Sequence, residues 1–203
     1  MQGNFKMRVT FLLLTAVLLS ACVTPTKAIK PLDPTKLGTI NVQTVSVSYN
    51  SLNAESLVGK DQERQAEASK AQDSSLIKYK PLKTALKEIA TNRLETRDSD
   101  SNSYANVDIE IDNLKLANAA AAILIGDTDQ LSGTVRVTDT KSKELFTEFY
   151  VDIIEGAGGL LGMAIRGAGV RERLSLQFAD HIGDELGFEK VKTTYEKTEH
   201  EAE

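Results

Sequence analysis

The chain has 203 residues, with 24 Lys and Arg against 29 Asp and Glu and a net charge of −5. Such a chain has few cations with which to displace counterions from a phosphate backbone, so nucleic acid is excluded as a partner. Aromatic residues make up 5% of the chain and Trp is absent, so the core is aliphatic and a sugar-stacking cleft is disfavoured.

The first element is a targeting signal. Lys6 and Arg8 flank an apolar run from Val9 to Leu19. That run is about 11 residues long, where a membrane span needs roughly 20. A basic flank, a short apolar run and small residues before a cut are the parts of a secretory signal. Here the run ends in Leu19-Ser20-Ala21-Cys22, which resembles a bacterial lipoprotein signal. The resemblance implies that residues 1–21 are removed and that Cys22 carries lipid, with Leu19, Ser20 and Ala21 read by the processing machinery. Cys22 is the sole cysteine, so no internal disulfide forms, and acylation accounts for an otherwise free thiol. Each buried methylene contributes about 0.8 kcal/mol, so several acyl chains make a permanent anchor. Val23 follows the cysteine where the enterobacterial sorting pattern has Asp for inner-membrane retention. That resemblance implies an outer-membrane protein facing the periplasm.

Residues 22–38 hold three of the four prolines, Pro25, Pro31 and Pro34. This composition predicts a stiff, extended tether reaching up to roughly 50 Å at about 3.1 Å per residue, the alternative being an N-terminal arm packed on the domain. A single domain is expected over 39–188. Ile40 and Val42, then Val45, Val47 and Tyr49, predict a strand, and the slip in parity at Thr44–Val45 predicts a bulge. Residues 50–75 are polar with almost no apolar face. They predict a long loop, the alternative being a solvated helix that packs on a partner. After Pro81, the residues Leu82, Ala85, Leu86, Ile89 and Ala90 share one face and predict a helix over about 80–95, with Lys83, Lys87, Glu88 and Arg93 elsewhere.

The cleanest strand follows, with Val107, Ile109 and Ile111 on one side and Asp108, Glu110 and Asp112 on the other. A row of carboxylates along a strand is a solvated face rather than a cation site, because a hard cation needs about six oxygens around a point. Residues 116–126 either extend this strand or form a short buried turn. A hairpin is predicted from Leu131–Asp139 and Leu145–Ile154, joined at Asp139–Lys143. Residues 155–169 are glycine-rich and lack any phosphate-loop pattern. They predict first a crossover whose leucines pack down, then a partner or self-association loop at Gly158, Gly159, Leu160, Leu161, Gly162 and Met163, then contact with a membrane surface. Val170, Leu174, Phe178, Ile182 and Leu186 recur every four residues and predict a second helix, with Arg171, Glu172 and Arg173 outward and Gly187 as its stop. Residues 189–203 are a charged tail expected to be disordered.

The expected fold is α+β: a small mixed or antiparallel sheet of about four strands, in the order β-α-β-β-β-α, covered on one face by two helices. The lipobox at Cys22, the strand Ser132–Asp139, the segment Lys143-Glu144-Leu145 and the closing helix with Leu176, Phe178, Ala179 and Ile182 resemble a group of bacterial envelope lipoproteins. Relatives usually carry Thr-Gly in the hairpin turn, where this chain has Thr140-Lys141-Ser142-Lys143. That group has no established activity, so the resemblance implies envelope placement and layout, not a reaction.

No catalytic constellation is legible. His181 and Glu185 have i, i+4 spacing but lack a third ligand, so no metal site and no cofactor are expected. The expected role is a non-catalytic scaffold or assembly component, with the membrane as one partner through Cys22 and an envelope protein or a second copy as the other. The alternative is a transporter lipoprotein holding a hydrophobic ligand near Leu160, Leu161 and Met163; a hydrolase is the third reading and the least favoured.

Overall fold

The strand pattern around Ile109 sets the architecture. Ala105, Val107, Ile109 and Ile111 are buried on one face of a strand, while Asn106, Asp108 and Glu110 point the other way. The computed structural model describes residues 26–70, 80–95, 103–117, 127–156 and 169–188. These form one five-stranded sheet and three α-helices: β1 (Thr26–Lys30), β2 (Ile40–Tyr49), α1 (Ala54–Ala68), α2 (Leu82–Leu94), β3 (Ser103–Lys115), β4 (Thr128–Asp139), β5 (Leu145–Gly156) and α3 (Val170–Glu185). The strand order is β1-β5-β4-β3-β2, with β2 parallel to β3 and the other pairs antiparallel. The class is the α+β fold expected, with one strand more.

The inward faces of β3, β4 and β5 supply Val107, Ile109, Val135, Val137, Phe149 and Val151. From α2 and α3, Leu82, Leu86, Leu174, Phe178 and Ile182 meet them. The helix faces are those that the spacing predicts. Gly187 ends α3 with φ 72°, while Phe188 N donates to Gly183 O at 2.8 Å. This is the left-handed stop for which glycine is suited. In β2 the register slips between Val42 and Thr44, the bulge foreseen at the parity change.

Four expectations are corrected. Residues 26–38 do not run free as a tether: Thr26–Lys30 forms β1 on the edge of β5, and Pro34–Lys36 forms a single 3-10 turn. The gain is backbone pairing, since Thr26, Lys27 and Ala28 align with Val151, Tyr150 and Phe149. The stretch expected as loop contains α1, which buries Leu57 and Asp61. Arg93 and Arg171, both placed outward by periodicity, are 5% exposed. Each is buried because a carboxylate meets it: Arg93 Nε donates to Asp180 Oδ1 at 2.7 Å, and Arg171 Nη2 to Asp61 Oδ1 at 2.6 Å.

In the hairpin, Asp139 Oδ1 accepts from the backbone N–H of Lys141 at 2.8 Å and of Ser142 at 2.7 Å. Those two bonds, Ser142 first, hold the Asp139 carboxyl below the usual carboxylate range. Lys143 takes φ 63°, the conformation a glycine would otherwise supply.

Candidate functional site

Three places in the described structure gather polar chemistry. The first is the helix-free face of the sheet. Thr44 bonds Asn106 at 2.7 Å and Ser46 bonds Asp108 at 2.5 Å across β2 and β3. Arg136 on β4 bridges Glu110 on β3 at 3.0 Å and Glu148 on β5 at 2.8 Å. Gln130 Nε2 donates to Asp152 Oδ1 at 2.6 Å. The acidic row therefore does not converge on a point: Asp108 accepts from a serine, Glu110 from an arginine, and Asp112 from Asn50 Nδ2 at 2.9 Å. Tyr150 lies on this face, half-buried beside Thr134. The result is a broad polar surface bordered by β2, whose ten residues include no charge and no proline.

The second place is a buried junction that ties α1 to the rest. Asp61 Oδ1 accepts from Arg171 Nη2 and, at 2.8 Å, from the backbone N–H of Leu82 at the start of α2; Asp61 Oδ2 accepts from the Tyr49 hydroxyl. One carboxylate thus serves β2, α2 and α3 at once. Pro81 offers no side-chain cap, so Asp61 supplies from a distance the acceptor that a helix start requires. Burial, then the bond to Asp61, pushes the Tyr49 phenol well above its ordinary value.

The third is a cleft of about 290 Å³ beside that junction, lined by Lys60, Glu63, Arg64, Leu114, Lys115, Leu116 and Arg171. Lys60 Nζ donates to Leu114 O and Lys115 Nζ pairs with Asp127. Burial lowers the Lys60 ammonium from its ordinary value, partly offset by the nearby Glu63.

The residues singled out from sequence fall largely elsewhere. Leu19, Ser20, Ala21, Cys22 and the loop Gly158, Gly159, Leu160, Leu161, Gly162 and Met163 lie outside the described residues. His181 and Glu185 share a face of α3; burial raises the Glu185 carboxyl, with His181 opposing. Among the described residues no group of three His, Cys, Asp or Glu is placed to hold a metal, and no helix is long and apolar enough to cross a membrane. The Asp61 junction was missed because its partners are far apart in sequence: Arg171 is 110 residues away. A helical stretch whose one buried acid interrupts an otherwise polar face carries too little signal to find it.

No family model matches the chain. No curated protein matches it either. Among solved structures it is similar to the PelC dodecamer from Paraburkholderia phytofirmans, at 8% identity over 81% of this chain and 99% of that one, with TM-score 0.38. It is also similar to lipoprotein GNA1162 from Neisseria meningitidis, at 11% identity over 71% and 97% of the two chains, with TM-score 0.27. At these TM-scores neither likeness assigns a function.

Proposed function

We propose that the chain is a non-catalytic assembly component of the bacterial envelope, anchored by acyl chains on Cys22 and associating with another copy or an envelope partner through its sheet. The observation that carries this reading is the β2 edge. A ten-residue strand without Lys, Pro or any charge borders the sheet, whereas soluble proteins blunt such edges because they recruit further strands. The opposite edge is blunted in that way: β1 is five residues long, carries Lys27 and Lys30, and is bulged between Ala28 and Lys30. Main-chain pairing along this edge, which no other described strand covers, gives affinity, and the polar face beside it gives register.

Leu160, Leu161 and Met163, near which the alternative reading puts a hydrophobic ligand, lie outside the described residues; among those described, the space between sheet and helices is packed. Phe149, Phe178, Leu86 and Ile109 fill that space at 1% exposure or less.

Ser48 is exposed on β2, and its hydroxyl makes only a long 3.4 Å bond to Ile109 O. Ser48→Lys places a charge on the edge at little cost to the fold. The mature protein is expected to be larger than a monomer by light scattering, or to crosslink in cells through position 48, and Ser48→Lys to abolish both with an unchanged melting temperature. A monomer that yields no crosslinks overturns the assembly role. Cys22→Ser protein that still reaches the membrane fraction at mature size overturns the anchor.

A further inference from the structure

Hydrogen bonding to β3 fixes which backbone groups of β2 face outward. Asn50 N donates to Ile111 O at 2.8 Å, and Ile111 is the register partner of Tyr49. In a parallel pair, alternate residues turn both backbone groups to the same side. Ser46, Ser48 and Asn50 therefore address β3, while Val45, Val47 and Tyr49 present N–H and C=O at the edge that no other described strand covers. The side chains of these three lie on the helix-covered face, where Val45 is 5% exposed and Val47 and Tyr49 are only half-buried. On the same face of β3, β4 and β5, Val107, Ile109, Val135, Phe149 and Val151 are 1% exposed or less. The apolar layer thus ends unfinished at β2. On the polar face the strand shows the exposed hydroxyls of Thr44, Ser46 and Ser48.

This edge is complementary to itself. An antiparallel copy on a two-fold axis at Val47 sets Val47 opposite its own counterpart and Val45 opposite the second copy's Tyr49. All three edge-facing residues then sit in hydrogen-bonded pairs, with about six main-chain bonds. Valine meets tyrosine on the helix side, a favoured cross-strand pair, and Ser46 meets the second copy's Ser48 on the polar face. An axis one residue earlier sets Tyr49 opposite Gln43, the residue that the register of β2 skips. Leu52, 90% exposed just past the end of β2, comes to the end of the second copy's β2 that holds the half-buried Val42. Charges stay apart as well, since β2 is the one strand of the described sheet without a charged residue. The two Tyr49 rings, each with Lys83 Nζ 4.9 Å away, are about 14 Å apart along the strands. The carboxylates of the two β3 strands are about 14 Å apart across three strand spacings. Both distances exceed the screening length of about 10 Å at 0.1 M salt.

We propose that the partner on the β2 edge is a second copy of this chain, paired antiparallel about a two-fold axis at Val47. This rests on the reading of β2 as the assembly edge and names its occupant. A partner selected by charge finds none on this strand, whereas a chain of net charge −5 meets itself here without setting like charges face to face. The pairing also closes. Head-to-tail stacking needs the opposite edge, and β1 is five residues long, carries Lys27 and Lys30 and is bulged. Growth therefore stops at two copies joined in one continuous sheet.

The test uses the mature chain with Cys22→Ser, which removes its sole native thiol, and adds either Ser46→Cys or Ser48→Cys. In the proposed register positions 46 and 48 face each other with Cα atoms about 4.5 Å apart, within disulfide reach. Positions 46 and 46, or 48 and 48, are diagonal neighbours at about 7–8 Å, outside it. Under mild oxidation an equimolar mixture is expected to give the mixed 46–48 dimer, identified by mass, roughly tenfold faster than either chain links to itself. Self-linking at the same rate overturns the axis at Val47. Val47→Pro removes the central outward N–H and spares the ladder to β3. In sedimentation it is expected to weaken the dimer roughly thirtyfold, the worth of two hydrogen bonds. A folded Val47→Pro protein that dimerises as tightly as wild type overturns the proposal; if this variant does not fold, the disulfide rates decide. A wild-type monomer that crosslinks in cells through position 48 to another protein overturns the second copy and leaves the assembly edge standing. A monomer with no crosslinks overturns both.

Discussion

Asp61→Ala is the most informative substitution. It leaves the Arg171 guanidinium, 5% exposed, without its carboxylate. Removing one partner of a buried pair costs about 3–5 kcal/mol. The Leu82 N–H loses its acceptor as well, which alone costs about 1 kcal/mol. The Tyr49 hydroxyl loses one too. These terms share one carboxylate and do not add, so the expected loss is about 4 kcal/mol. That is about a quarter or more of the stability of a typical domain, about 5–15 kcal/mol. Urea titration reads it as a drop in midpoint. Replacing both charges, Asp61→Leu with Arg171→Met, is expected to recover most of the loss, because an apolar pair of similar volume needs no desolvation. A loss under about 1 kcal/mol for Asp61→Ala, or a double variant worse than the single, refutes a buried junction.

Gly133→Ala places a Cβ 2.5 Å from the backbone carbonyl of Glu110 in the paired strand. Although alanine ordinarily suits a strand better, a loss of about 1–3 kcal/mol is expected by urea titration; a gain refutes the close approach. Lys143→Gly relieves the positive φ of the hairpin. Relief of about 1–2 kcal/mol against roughly 0.5–1 kcal/mol of added chain entropy leaves a stabilisation of about 0.5 kcal/mol, read as a raised urea midpoint. The raised Tyr49 pKa favours the neutral phenol in the folded state. Its contribution is whole below the unfolded value of about 10 and drains as pH rises through the higher folded value. Between about pH 8 and pH 11, wild type is expected to lose more denaturant resistance than Tyr49→Phe; equal losses refute the coupling.

What the sequence reveals is what repeats locally. Val107, Ile109 and Ile111 alternate, Leu174, Phe178 and Ile182 recur every fourth residue, and the broken parity at Thr44 marks the bulge of β2. Each of these is decided by neighbours a few positions away. The elements that escaped are decided by distant ones. Thr-Lys-Ala-Ile-Lys is a poor strand alone and becomes β1 because β5 offers an edge. Residues 54–68 have almost no apolar stripe, and α1 is held chiefly through Asp61, Lys60 and Leu57. Arg93 and Arg171 look like surface residues until the acids that face them are placed. The cationic cleft draws on α1, β3 and α3, so no window of sequence contains it.

The placement of β1 also dictates an order of events during folding. Thr147 donates to the carbonyl of Lys30, 117 residues earlier, and β1 has no other described partner strand than β5. Thr26–Lys30 cannot settle until nearly the whole polypeptide is available, because closing so long a loop is deferred until its receiving strand exists. Zipping β1 onto β5 is therefore a late step, and it closes the one side of β5 that β4 leaves unpaired among the described strands.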